Sequence, residues 1–206
     1  MRRVSHHSLL NRVAPRSAGY TLVELMVVLS LAVILGAIAV PSMRTLLQNG
    51  RLTSATNDLL ASINRARTEA LKLQVPTAVC FTTNPAAASP VCDYGAARGW
   101  IVFVDSNGDW AHQSNEAILE RHATIDATVT VKTDGDAVVA FSATGFATPS
   151  AAHQALRNVI FCDARGVVAA GTSSTARALL IATTGRGRAV SSVADVQSAL
   201  AGSACP

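Results

Sequence analysis

The sequence predicts an α+β fold in which one long N-terminal helix packs on antiparallel β-sheets. Three observations predict it. Residues 20–40 are almost wholly apolar, with Thr21, Glu24 and Ser30 as the polar exceptions. Leu52, Ala55, Leu59, Ile63, Ala66, Ala70 and Leu73 then recur at spacings of three and four, which is an amphipathic helical stripe. Beyond Pro76 the texture becomes β, and strand-like run follows strand-like run without intervening helical periodicity.

Taken in order, the apolar run comes first. As a helix rising 1.5 Å per residue it spans roughly 30 Å, about one hydrocarbon core. Pro41 follows, and its missing N–H and ring clash predict a kink in a continuing helix. Arg51, Asp58, Arg65, Glu69 and Lys72 take the faces that the stripe leaves to solvent, so the stripe is read as the helix's seat on its own domain. Val75-Pro76 ends the helix, because a residue before proline is pushed out of the α region. Seven candidate strands follow: "VPTAVCFTT", "GWIVFVD", "AILERHA", "ATVTVKT", "AVVAFS", "NVIFCD" and "ALLIATT". Gly, Asn, Asp or Pro clusters separate most of them. "TNPAAASP" and "ATPSAAHQA" read as surface loops.

The formal charge of +4 says little about partners, because it is concentrated. Arg2, Arg3, Arg12 and Arg16 precede Gly19 with no acid among them, and the remaining 13 basic side chains meet 13 acidic ones. Any binding of nucleic acid must therefore be local, by a patch. Four cysteines, Cys80, Cys92, Cys162 and Cys205, contain no CxxC pair, which argues against structural zinc. An even number downstream of a membrane segment suggests disulfides in an exported domain. Three pairings are open to four cysteines, and spacing does not choose among them. The working expectation is Cys80 with Cys92 around a Pro/Ala-rich loop, and Cys162 with Cys205 tying the tail to a strand.

The leader has the wrong order for a conventional signal peptide, in which a small-residue cleavage site follows the apolar stretch. Here Ala18 and Gly19 precede it, so cutting there keeps the hydrophobic segment. "GYTLVELMVVLSLAVILGAIAVPSM" closely resembles the class III signal of type IV pilins and type II secretion pseudopilins. The resemblance implies that a prepilin peptidase cuts after Gly19 and that the new N-terminus, Tyr20, is N-methylated. It also implies a role for the one acid in the run. An ionisable group in a membrane is costly and normally has a partner; in this family the corresponding glutamate, here Glu24, is thought to meet the terminal amine of a neighbouring subunit during assembly.

Further along, "GWIVFVDSNGD", "AILER", "VIFCDARG" and "RALLIATTGRGRAV" resemble the GspH/FimT branch of minor pilins and pseudopilins, in the same order along the chain. With the leader, the likeness covers most of the sequence and implies a type IV pilin-like fold. It divides the chain into a cleaved leader (1–19), a membrane and assembly helix (20–43), the amphipathic second half of that helix (44–75) and a β-rich periplasmic or extracellular domain (76–206).

Candidate sites are few. In "DSNGDWAHQSNE", Asp105, Asn107, Asp109 and Glu116 fall at positions 1, 3, 5 and 12 of a calcium loop. The sixth position needs glycine for the sharp turn and has Trp110, so a polar hairpin is the better reading. His112, His122 and His153 show no metal-ligand spacing, and no nucleophile motif occurs. No enzyme activity, metal or cofactor is expected.

"TTGRGRAV" remains. Gly185 and Gly187 permit a tight or positive-φ backbone, as at a hairpin tip, from which Arg186 and Arg188 would project. Read alone, such arginines are ordinary. A GRxR motif near the C-terminus is, however, associated with DNA binding by FimT-type minor pilins, and Gly185, Arg186 and Arg188 match it residue by residue. Guanidinium groups suit phosphates through paired hydrogen bonds. Arg165 and Arg177 would enlarge the patch if the fold brings them near, whereas no aromatic neighbour in sequence offers a stacking platform. The expectation is an inner-membrane-anchored minor pilin, assembled with other pilins into a type IV pilus and binding double-stranded DNA during natural transformation. The alternative is a GspH-like minor pseudopilin with a structural role at a secretion filament's tip.

Overall fold

The structure, a computed structural model, describes residues 19–93, 99–122, 125–134, 138–148, 157–167, 169–200 and 205. Residues 1–18 of the leader, His153 and most of the "ATPSAAHQA" loop lie outside them. Two compact units result, Met1–Arg44 and Thr45–Pro206.

A single helix, α1 (Leu22–Leu73), runs through both, with Pro41 inside it. Thr21 caps its start, its Oγ1 accepting the backbone N–H of Glu24 at 3.1 Å. A threonine followed three residues later by glutamate is a capping-box spacing, and the acid also suits the positive end of the helix dipole. The side chains of the first unit's apolar run face outward, Leu22 and Val33 more than 70% exposed, as a helix that must meet lipid or partner helices would have them. At the far end Gln74 takes φ +58°, the left-handed conformation that stops a helix, before Pro76.

Among the described residues of the second unit, nine strands form two antiparallel sheets. These are β1 (Thr77–Thr82), β2 (Gly99–Val104), β3 (Ile118–His122), β4 (Thr130–Thr133), β5 (Val138–Phe141), β6 (Asn158–Cys162), β7 (Ala169–Ala170), β8 (Ser173–Ile181) and β9 (Gly187–Ser192). The first sheet has the order β3-β2-β1-β5; the second runs β4-β6-β8-β7, with β9 also paired to β8. The predicted stripe seats α1 on both: Leu52, Leu59, Ile63, Ala66 and Ala70 pack with Val79, Phe81, Trp100, Phe141, Phe161 and Leu179 in one core. Leu73 departs from the stripe and is exposed at 43%. Polar groups buried along the seat are bonded, Thr56 to the Leu52 carbonyl and Thr77 to that of Ala66.

Strict alternation puts the other residues of β1 and β2 on the sheet's far face, where Ala78, Cys80, Ile101 and Phe103 form a second cluster with Trp110. The equivalent face of the second sheet buries Ile160, Cys162, Ala178 and Val190 under a short helix, α2 (Val193–Leu200). That helix corrects the expectation of strands alone after Pro76. Its signal is short: Ser192 caps it, accepting the N–H of Asp195 and donating to that residue's carboxylate. The run "ALLIATT" is likewise displaced, since β8 begins at Ser173 and ends at Ile181, leaving 182–184 to a turn. Disulfides join Cys80 to Cys92 and Cys162 to Cys205.

Candidate functional site

The segment around Arg186 is a hairpin turn between β8 and β9. Gly185 N–H donates to the Ala182 carbonyl at 2.8 Å, and Ala182 N–H donates to that of Arg186 at 2.9 Å. Gly185 has φ +78°. This is a three-residue loop, a turn closed by a left-handed residue, and glycine is the residue that adopts that conformation without a Cβ penalty. Glycine is required there for a second reason: a Cβ would lie 2.7 Å from the Gly145 carbonyl oxygen. The tip is accordingly docked on the body, and Ala147 N–H donates to the Thr183 carbonyl. Gly187 does a different job. It sits inside β9, opposite Ile181, where a Cβ would run into Leu60 of α1.

Arg186, the last residue of the turn, and Arg188, the second of β9, are both exposed. They line an open groove of about 680 Å³ together with Arg157, Asn158, Leu180 and Thr184. The register explains the third arginine: Asn158 pairs with Leu180, which pairs with Arg188, so the start of β6 lies two strands from β9. No local pattern singles out Arg157, because only the β6–β8–β9 order brings it there. No carboxylate lines the groove among the described residues. Asp134 is engaged beside it: its carboxylate accepts the backbone N–H groups of Arg157 and Asn158 and a bond from the Asn158 side-chain amide.

Arg165 and Arg177 do not join them. Arg165 holds Asp163 at 2.7 Å and donates to Asn49. The hydrogen bonds from Arg165 hold the Asp163 carboxyl below its ordinary value despite burial. Arg177 donates to the carbonyls of Ser174, Thr175 and Ala176 and to Thr53. Burial and the like charge of Arg165 pull its pKa down.

The calcium-loop candidate closes on itself. β2 and β3 flank it as strands, and its acids accept its own N–H groups: Asp105 from Gly108 and Trp110, Glu116 from Ser106 and Gln113. Trp110 takes φ +67° and is 3% exposed, so a bulky residue fills the conformation that a calcium loop gives to glycine. Burial pushes the Asp105 carboxyl up, and the charges of Glu116 and Asp109 add to that, while the Trp110 N–H opposes it. Among the described residues no three His, Cys, Asp or Glu side chains gather to hold a metal ion. His112 instead meets the Pro90 carbonyl, and His122 stacks on Trp100 near Asp58.

Residues 15–40 match the prokaryotic N-terminal methylation motif, and residues 55–191 match the family described as type II transport protein GspH. Comparison with curated proteins finds no match. Among solved structures, two crystal forms of the Pseudomonas aeruginosa PAO1 type IV minor pilin FimU are similar at 23% identity. They cover 70% and 68% of this chain and 96% and 92% of theirs, with TM-scores of 0.44 and 0.43. The family match spans most of the sequence and follows a methylation motif, so the chain belongs to the GspH family and is a GspH/FimT-like minor pilin or pseudopilin.

Proposed function

We propose that this protein is a minor pilin of a type IV pilus that binds extracellular double-stranded DNA without strong sequence preference during natural transformation. The observation that carries this reading is the open groove lined by Arg157, Arg186 and Arg188 with no carboxylate among its described lining residues. Three arginines lining one groove suit a run of phosphates, and the docked turn fixes where two of them start. The methylation motif supports the rest of this reading: a prepilin peptidase cuts between Gly19 and Tyr20, Tyr20 is N-methylated, and residues 20–43 hold the chain in the inner membrane with the β-rich domain in the periplasm. Glu24 then meets the Tyr20 amine of another subunit, in addition to its place in the helix cap. Chemistry on a substrate has no part in this role.

The test uses the full chain in a nonionic detergent and a blunt DNA duplex. A patch this small makes few contacts, so affinity falls near the roughly 10⁻⁴–10⁻⁶ M of non-specific binding. Arg186→Gln with Arg188→Gln weakens binding to unrelated sequences alike and flattens the slope of log affinity against log salt by about one to two units, at about 0.9 per phosphate. The leader's arginines are common to both proteins, so the difference between them is the readout. Equal binding by parent and variant, or none by either at low salt, overturns the DNA reading and leaves a structural pseudopilin of a secretion filament.

A further inference from the structure

The second unit contains two turns of the same construction, placed back to back. In 142–146, Gly145 N–H donates to the Ser142 carbonyl at 2.8 Å, Ser142 N–H donates to that of Phe146 at 2.9 Å, and Gly145 has φ +77°. In 182–186 the same two bonds have the same donors and acceptors by position, and Gly185 has φ +78°. The sequences agree where the geometry needs them to, Thr-Gly in both, and differ in the residue that follows: Phe146 in one turn, Arg186 in the other. The turns touch through the Gly145 carbonyl, against which Gly185 is packed, and through the bond from Ala147 N–H to the Thr183 carbonyl. Arg67 of α1 fixes the pair, its Nε donating to that same Gly145 carbonyl and its alkyl chain lying against Gly185.

Phe146 is 57% exposed, the one exposed aromatic side chain among the described residues of the second unit. The other phenylalanines of that unit are buried at 1% exposure or less. The contacts between the turns therefore bring an exposed aromatic residue, from about 40 residues upstream, to the turn that abuts the arginine turn, just outside the groove's own lining.

We infer that Phe146 is a stacking platform for an unpaired base of DNA whose phosphates lie on Arg186 and Arg188. The inference rests on the DNA-binding reading of the groove and narrows its substrate class to DNA with a single-stranded overhang. Charge complementarity selects the polyanion, and the flat apolar face selects the base. Every base has a π-face, so stacking on phenylalanine adds affinity without sequence preference. In a blunt duplex the bases are already stacked and paired, and Phe146 has nothing to receive. An overhang offers a base at little cost.

The experiment compares a blunt duplex with a duplex bearing a single-stranded overhang, matched in total phosphates, by fluorescence anisotropy at one salt concentration with the full chain in nonionic detergent. The overhang probe binds about five-fold tighter, the lower end of what one stacked base contributes. Phe146→Ala removes that preference and leaves both the blunt-duplex affinity and the salt slope where they were. Phe146→Tyr keeps the preference, which a purely structural phenylalanine would not require. Equal affinity for the two probes, or a preference that survives Phe146→Ala, overturns the stacking role while blunt-duplex binding through the arginines stands. Loss of all DNA binding by the parent protein overturns both readings together.

Discussion

Residues 157–188 contain five arginines, and the second sheet sorts them into two kinds. Toward the start of β8, Arg165 and Arg177 are engaged by Asp163, Asn49, Thr53 and three backbone carbonyls. Toward its end, Arg157, Arg186 and Arg188 border open solvent. The same residue type thus closes the fold at one end and leaves charge available at the other. What separates the two sets is the partners that the chain brings within reach. Arg165 has an aspartate two residues before it, whereas Arg186 and Arg188 have no acid nearer in sequence than Asp195.

The engaged end is broken most severely by removing its acid. Asp163 is 5% exposed and the Arg165 side chain 22%, so Asp163→Ala strands a largely buried guanidinium. A loss of about 3 kcal/mol is expected, the lower end for a buried pair because Arg165 keeps some access to water. Urea unfolding measures it. The pH dependence has a definite sign: the Asp163 carboxyl is depressed below 3.8 in the folded protein, mainly by hydrogen bonds from Arg165. The pair's contribution is therefore complete above pH 3.8 and fades as the pH falls through the lower folded value. Asp163→Ala loses that acid-side slope along with the stability. An unchanged unfolding curve would mean that Arg165 is as free as Arg186.

The two stacked turns sharpen the comparison at the other end. Both glycines have positive φ, so alanine costs about 1 kcal/mol in either from the left-handed backbone alone. The surroundings differ. A Cβ on Gly145 meets the flexible end of Leu71 at 3.1 Å, whereas one on Gly185 meets a backbone oxygen at 2.7 Å. Gly185→Ala is expected to cost about 2 kcal/mol and Gly145→Ala about half that. Paired thermal melts decide it, and equal losses would mean that the turns do not bear on each other as described.

Much of this arrangement could be read in the sequence, for reasons particular residues make plain. Leu52, Leu59 and Ile63 announce α1's buried face because helical period and burial coincide there. "GWIVFVD" and "NVIFCD" announce strands buried on both faces because nothing polar interrupts them. Gly185 was legible as a turn residue, since no other residue type enters that conformation freely. Helix α2 was missed because eight residues give barely two turns of period, and its one clear signal, Ser192 with Asp195, is a cap rather than a stripe. Arg157 and Phe146 were missed for a different reason. Each joins the arginine turn across strand pairings or turn contacts that join distant parts of the chain, and no local pattern encodes those contacts.

Arg157 therefore provides the smallest and most discriminating prediction. It is exposed, and among the described residues it is bonded through its backbone, the N–H donating to Asp134 and the carbonyl accepting the Ile181 N–H. Arg157→Gln preserves those bonds and leaves stability within about 0.5 kcal/mol, as for surface substitutions away from special features. Its effect falls on DNA instead. If Arg157 contacts one phosphate, the variant flattens the salt slope by about 0.9 and weakens blunt-duplex binding uniformly across sequences. Added to Arg186→Gln and Arg188→Gln, it brings the total change toward three phosphates' worth, because guanidinium groups on separate strands act nearly independently. Arg177→Gln is the matched contrast, with the same charge change at an engaged position: it lowers stability and moves the slope little. A slope that responds to Arg177 as strongly as to Arg157 would show that net charge, and not the groove, governs binding.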